Sequence, residues 1–149
     1  MTRPFIQPGP APSHPWRGDR VLRNALQAAL PAEALAALAP SLEAFGDRML
    51  GFYARQAEDR LQEPRLVSFD PWGARVDRIE VTPHWKACER LAAEEGLVAT
   101  AYERKLGAHS RLHQAALIHL FHPASDVYTC PLAMTDGAAK TLRSHRARP

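Results

Sequence analysis

The sequence predicts a mainly α-helical domain interrupted by one small β-hairpin near residues 66–81. Three observations carry that prediction. Apolar residues recur every three or four positions through most of the chain, the period that places them on one face of a helix. Two short runs at period two, Val67 and Phe69 about Ser68, then Ile79 and Val81 about Glu80, flank the tetrad Asp70-Pro71-Trp72-Gly73. That tetrad has Asp first, Pro second and Gly fourth, the chemistry of a type I turn, so the two runs form a hairpin whose arms each have one apolar face. Thr82-Pro83 then supplies a capping hydroxyl and a ring without an N–H where a helix begins.

The elements follow in order. Residues 1–18 hold Pro4, Pro8, Pro10, Pro12 and Pro15 and show no apolar period, which predicts an extended or disordered lead lying over a neighbour. Asp19 is placed to cap a helix running through Leu30, with Val21, Leu22, Ala25, Leu26, Ala29 and Leu30 as its core stripe. Pro31 ends that helix and opens a short one carrying Leu35 and Leu38, and Pro40-Ser41 begins a longer one that buries Leu42, Phe45, Met49, Phe52 and Tyr53. Gly46 and Gly51 each weaken that helix, and either they admit another element closely or they are merely tolerated. Pro64 closes it. After the hairpin, Trp85, Cys88, Leu91 and Ala92 form the stripe of a helix that stops at Gly96, with Trp85 expected in the core. Residues 97–106 read as a short helix or ordered loop ending near Gly107. Leu112, Ala115, Ala116, His119 and Leu120 predict a further helix stopping before Pro123. A last helix is expected from Pro131, with Leu132, Thr135, Ala138, Ala139 and Leu142 recurring along it.

A chain of 149 residues is one domain's worth, here 19–142 between the proline-rich lead 1–18 and a basic tail 143–149. With 46% hydrophobic and 23% charged residues it has the balance of a globular protein, and no run approaches the roughly 18 apolar residues of a membrane span. The first fifteen residues lack the basic start, apolar run and cleavage site of a secretion signal, so a cytoplasmic chain is expected. Cys88 and Cys130 form no C-x-x-C and are expected as buried or partly buried thiols. The net charge of +3 arises from 19 basic residues offset by 16 acidic ones, too even a balance for a nucleic-acid arm. Only Arg143 to Arg148 forms a basic cluster, without aromatics for base stacking.

No catalytic constellation emerges from the residues. His109 and His113, four apart, and His119 and His122, three apart, have metal-pair spacing, but no Glu follows the first His as in H-E-x-x-H, so no metal site is assigned. Neither a nucleophile elbow, nor G-x-G-x-x-G, nor a P-loop occurs. Adjacent Glu94 and Glu95 point to different faces of a helix and make a poor acid/base pair. The segment Cys130-Pro131-Leu132-Ala133-Met134-Thr135-Asp136-Gly137-Ala138-Ala139 is the best candidate for ligand contact. Its helix start favours an anion, and Ala133, Gly137 and Ala138 leave room for a flat or extended ligand. Small residues there equally allow two helices to pack closely.

Asp70, Gly73, Arg75, Asp77, Ile79, Val81, Pro83 and Trp85 form a D-x-x-G-x-R-x-D hairpin feeding a helix. This run resembles the opening domain of the acyl-CoA dehydrogenase family, in its alkylation adaptive-response branch. Cys130, Pro131, Met134 and Thr135 resemble that branch's C-P-x-x-M-T segment. The resemblance covers roughly residues 19 to 142. It implies a helical first domain that, with a β-barrel middle domain and a C-terminal helical bundle, encloses FAD and an acyl-CoA thioester. Met134 and Thr135 would then line one wall of that cleft. The family's main flavin-binding segments and its catalytic carboxylate lie in the later domains, so no catalytic residue transfers here, and the isolated chain is expected to be colourless and without dehydrogenase activity. The missing domains are the implied partners, in cis or in trans. The alternative is a non-catalytic helical interaction module whose uncovered apolar surface meets a partner, a second copy first. A weaker one, also prompted by the resemblance, is a DNA-associated adaptive-response protein.

Overall fold

The computed structural model describes residues 12–59 and 63–146. Its helices are α1 (Pro15–Gly18), α2 (Arg20–Ala29), α3 (Ala32–Asp59), α4 (Pro83–Glu94), α5 (Ala99–Glu103), α6 (Ser110–Phe121) and α7 (Thr129–Arg146), with one-turn 3-10 segments at Gly107–His109 and His122–Ala124. Strands β1 (Arg65–Phe69) and β2 (Arg75–Glu80) form an antiparallel pair between α3 and α4. The mainly helical fold with one small hairpin is as the sequence predicts.

Helix α3 is the axis of the domain. The two helices expected on either side of Pro40 are one, because Pro40 lies inside α3. A proline there costs about 3 kcal/mol, and it leaves the carbonyl four residues back without its N–H. Pro40 and Ala36 lie on the exposed side, where water serves that carbonyl. On the opposite side Leu38, Leu42, Phe45, Met49 and Phe52 are at most 2% exposed, on both sides of the proline. At about 1.5–3 kcal/mol each, their burial outweighs the interruption.

The remaining helices close around this stripe. Asp19 caps α2 by accepting from the Leu22 N–H at 2.8 Å, but only Leu22, Leu26 and Leu30 of the expected stripe turn inward. Val21, Ala25 and Ala29 are exposed. In α4 the Thr82 hydroxyl accepts from the Trp85 N–H at 3.0 Å and Pro83 occupies the first turn. Trp85 is only half-buried, its ring meeting Tyr128 edge-on with centroids 4.9 Å apart, and His84 takes the core position beside Cys88. Gly96 stops α4 at φ +59°, in the left-handed region glycine tolerates, whereas α5 is ended by Arg104 at φ +57° and Gly107 opens the 3-10 turn that follows. Helix α6 is rotated from its expected face: Ser110, Gln114, Leu117 and Phe121 are buried, whereas Ala115 and His119 are exposed. Two polar residues on the inner face, Ser110 and Gln114, disguised the true stripe.

Part of the proline-rich lead also departs from the expectation. Residues 12–18 include α1, and Trp16 joins the core, while residues 1–11 lie outside the described residues. Likewise Arg143–Arg146 of the expected basic tail are the last turn of α7, where cations complement the helix dipole, and 147–149 lie outside the described residues. Helix α7 starts at Thr129 rather than Pro131; a proline at its third position removes an N–H that has no intrahelical partner.

Candidate functional site

Helix α7 carries Cys130 to Ala139, and its orientation is fixed by a few contacts. Leu132 is buried, and Tyr128 and Ala139 are half-buried on the same side. One turn beyond Leu132, Asp136 ties α7 to two other helices. The Tyr102 hydroxyl of α5 donates to its Oδ1 at 2.5 Å, and the Arg111 guanidinium of α6 donates to Oδ1 and Oδ2 at 2.9 and 2.7 Å. Arg111 also stacks over the Tyr102 ring, 5.2 Å from its centroid, and donates to Gln114 Oε1 at 2.7 Å. Burial pushes the Asp136 carboxyl up, but the bonds from Arg111 and Tyr102 and the Arg111 charge outweigh it and hold the pKa below the ordinary carboxylate value.

With that face fixed, the opposite one is open. Ala133, Met134, Thr135, Gly137 and Ala138 are all exposed, Met134 to 71%. A Cβ added at Gly137 would meet nothing within 4 Å, so among the described residues this glycine serves no close helix packing. Thr135 Oγ1 donates to the Pro131 carbonyl at 2.9 Å, which turns the hydroxyl back along the helix. The result is a smooth strip of small side chains and one thioether. Five hollows on the described surface include neither Met134 nor Thr135 in their lining. As a holder for a flavin it fits one side only, and no phosphate cradle or carboxylate acting on a bound ligand accompanies it.

The hairpin residues stand elsewhere. Asp70 Oδ1 accepts from the N–H groups of Trp72 and Ala74, both at 2.9 Å, the Gly73 N–H donates to the Asp70 carbonyl at 3.1 Å, and Gly73 sits at φ +88°. Arg75 Nε donates to Asp77 Oδ2 at 2.6 Å across a register irregularity where Asp77 adopts φ +41°. Thus Asp70, Gly73, Arg75 and Asp77 build the turn and the bulge, Pro83 and Trp85 begin α4, and Cys130 and Pro131 begin α7. Cys88 is buried as expected, but Cys130 is exposed, because it lies in the first turn of α7 away from the side that Leu132 buries. Burial, with the Asp126 charge adding to it, pushes the Cys88 thiol up to about 12.

The histidines noted in the sequence go separate ways. His113 bonds Ser41 Oγ at 2.9 Å, His119 bonds Asp19 Oδ2 at 2.7 Å and His122 bonds Thr129 Oγ1 at 3.0 Å. The cluster that sequence reasoning missed joins His14 to Glu43 and Asp47, one turn apart on α3. Arg17 pairs with Glu43 there, and His14 Nε2 lies 3.2 Å from Asp47, so the cluster reads as an ion-pair strap holding α1 on α3. Its one sequence signal was Gly46, between the two acids. A Cβ there would sit 2.2 Å from His14 Cε1, so the glycine admits the imidazole; Gly51 admits nothing.

Comparison with known proteins agrees with this architecture. The family model of the adaptive response protein AidB N-terminal domain matches residues 7–148. Acyl-CoA dehydrogenase family member 11 of Caenorhabditis elegans is 40% identical over 144 residues, covering 94% of this chain and 23% of that protein. Among solved structures, ACDH-11 of Caenorhabditis elegans in complex with C11-CoA superposes with a TM-score of 0.87 at 37% identity, covering 97% of this chain and 25% of the other. The apo-form of Bd2924 gives 0.84 at 47% identity, covering 93% and 28%. The chain therefore spans about a quarter of the length of these relatives. From the match over nearly its whole length and the shared helical fold with its hairpin, the chain belongs to the AidB N-terminal domain family, within the acyl-CoA dehydrogenase-like proteins.

Proposed function

We propose that this chain acts as the N-terminal helical domain of an FAD-dependent acyl-CoA dehydrogenase-like protein, and that the open face of α7 around Met134 and Thr135 forms one wall of the flavin and acyl-CoA cleft. The observation that carries this reading is a ligand-sized strip of Ala133, Met134, Gly137 and Ala138, held outward by the Asp136 network yet covered by no other described element. A bound flavin would supply hydride acceptance, the chemistry of the family's cofactor. This chain's part is confined to position and exclusion: Met134 offers an apolar, deformable contact, and the small residues let a flat ring approach the helix backbone. Middle and C-terminal domains of the family's kind supply the remaining walls, in cis or in trans. By itself the chain offers a flavin too few contacts to offset the translational freedom lost on binding, a cost of at least about 4 kcal/mol.

The test is reconstitution. The 149-residue chain is mixed with a second chain comprising the other three quarters of a family member, in the presence of FAD, and the product is gel-filtered. A yellow complex that reduces a dye on addition of acyl-CoA supports the reading. A second chain that holds flavin equally well without this one removes it. The alternative, a non-catalytic interaction module in a cytoplasmic assembly, draws on the uncovered apolar side chains of the hairpin and differs in leaving the complex colourless. DNA association, the weaker alternative, is tested by gel shift at low salt.

A further inference from the structure

Helices α3 and α6 enclose, with the segment around Lys105, a hollow of about 330 Å³ whose lining includes Ala37, Ser41, Ser110, His113 and Leu117. Helix periodicity places these residues together: Ser41 stands one turn after Ala37 on α3, and Ser110, His113 and Leu117 recur at three and four residues along one side of α6. His113 Nε2 meets Ser41 Oγ at 2.9 Å, the separation at which an imidazole can take a hydroxyl proton. Burial holds the His113 pKa below its ordinary value, so the ring is a free base at neutral pH. Ser110 is 2% exposed and its Oγ accepts from the Leu106 N–H at 3.1 Å, which leaves its hydroxyl proton without an acceptor among the described residues. The charged groups of the lining are Glu95, Glu103 and Lys105. Glu95 is paired with Arg48 and Glu103 with Lys105, so each carboxylate already has its cation.

We propose that Ser41 and His113 form a nucleophile–base pair that acts on small carboxylic esters. Ser41 is exposed, so a substrate reaches it from solvent. The hollow is at the small end for ligand sites, and Ala37, Leu106 and Leu117 supply its apolar lining, which suits an acyl group of a few carbons. In the first step Ser41 Oγ bonds the ester carbonyl carbon while its proton passes to His113 Nε2. The Ser110 hydroxyl is the donor available to the carbonyl oxygen as that atom gains charge. Collapse of the tetrahedral adduct breaks the bond to the leaving alkoxide, which takes the proton from His113 and departs as an alcohol. A water that gives its proton to the same nitrogen then releases the acid and restores Ser41. Water is the only co-reactant, so the proposal does not rest on the cleft against α7.

The test treats the purified 149-residue chain with a fluorophosphonate, a probe of base-activated serines, and separately with p-nitrophenyl acetate, and locates the adducts by peptide mass. Tryptic peptide 24–48 holds Ser41 as its only hydroxyl, and peptide 66–75 holds Ser68 as its own, which makes Ser68 the internal reference. Both reagents should modify Ser41 at least about a hundredfold faster than Ser68, the gain a positioned general base supplies. Ser41→Ala should abolish modification of peptide 24–48, and His113→Gln should slow it at least about a hundredfold, with circular dichroism reporting the wild-type helix content. A Ser41 modified no faster than Ser68 in the wild-type chain overturns the proposal without recourse to a variant. Phosphonylation without acetyl transfer, or modification at an unchanged rate in His113→Gln, also overturns it.

Discussion

Replacing Asp136 by Ala removes the side-chain tie of α7 to α5 and α6, leaving the Tyr102 hydroxyl's bond to the backbone carbonyl at 136. The residue accepts from Tyr102 at 2.5 Å and from Arg111 at 2.7 and 2.9 Å, so three charge-assisted hydrogen bonds vanish together. One such bond contributes about 1.5–3 kcal/mol when sheltered. Asp136 is 28% exposed and Arg111 51%, so water screens the pair and replaces part of what is lost. The network as a whole should therefore be worth about 1–2 kcal/mol. In a domain of this size that lowers Tm by about 2–8 °C, measurable by urea or thermal unfolding followed by circular dichroism. Tyr102→Phe should reproduce part of this loss when Asp136 is present and cost less in the Asp136→Ala background, so that the double-mutant cycle gives a coupling of at least about 0.5 kcal/mol. Amide exchange adds the spatial test: protection should fall along the first half of α7 while the centre of α3 keeps its own. A loss under about 0.3 kcal/mol with unchanged exchange in α7 would refute the argument that this network orients the helix.

Gly46→Ala should change sign with its background. In the wild type the new Cβ displaces His14 and should cost about 1 kcal/mol, but in His14→Ala the same change should stabilise by about 1 kcal/mol through helix propensity alone, both read by urea unfolding. Stability should fall in two limbs as pH drops. Burial holds the His113 pKa below its ordinary value, so below about pH 6.5 the unfolded chain takes up the proton first and folding is weakened; His113→Gln should flatten this limb in a Tm-against-pH series. The second limb comes from Asp19 and Asp136, both held below the ordinary carboxylate value, Asp19 chiefly by the Leu22 N–H. Their contribution is complete above about pH 4 and is lost as pH falls through the folded-state values. Titration with a thiol reagent at pH 8 should modify Cys130 quickly and Cys88 only on unfolding; two equally fast thiols would contradict the burial of Cys88.

What the sequence disclosed depended on whether a local rule or a distant contact decided the outcome. The Asp70–Gly73 turn, the Thr82 and Asp19 caps and the glycine stop at 96 are short-range chemistry, and all were legible. Helix faces were legible only where the buried residues are apolar. Ser110 and Gln114 point inward on α6, and no period of hydrophobicity reveals that. Pro40 reads as a boundary by local propensity, yet burial on both sides of it carries α3 straight through. The open strip on α7 was recognisable as small residues, but whether they faced a neighbour or open space needed the fold. Asp136 illustrates the same limit, since its partners are 34 and 25 residues away in sequence.

The most direct measurement is flavin content of the reconstituted complex when the α7 wall carries a charge. Met134→Arg, at a 71% exposed position, should leave the isolated chain folded and its association with the companion chain intact. Val21→Arg, at the 79% exposed position on α2, serves as the control. If Met134 faces the flavin, its replacement should weaken FAD retention at least about tenfold, the loss of one buried side chain's worth of contact, while Val21→Arg binds FAD like the wild type. Equal flavin content in all three complexes would contradict the placement of the cleft against α7.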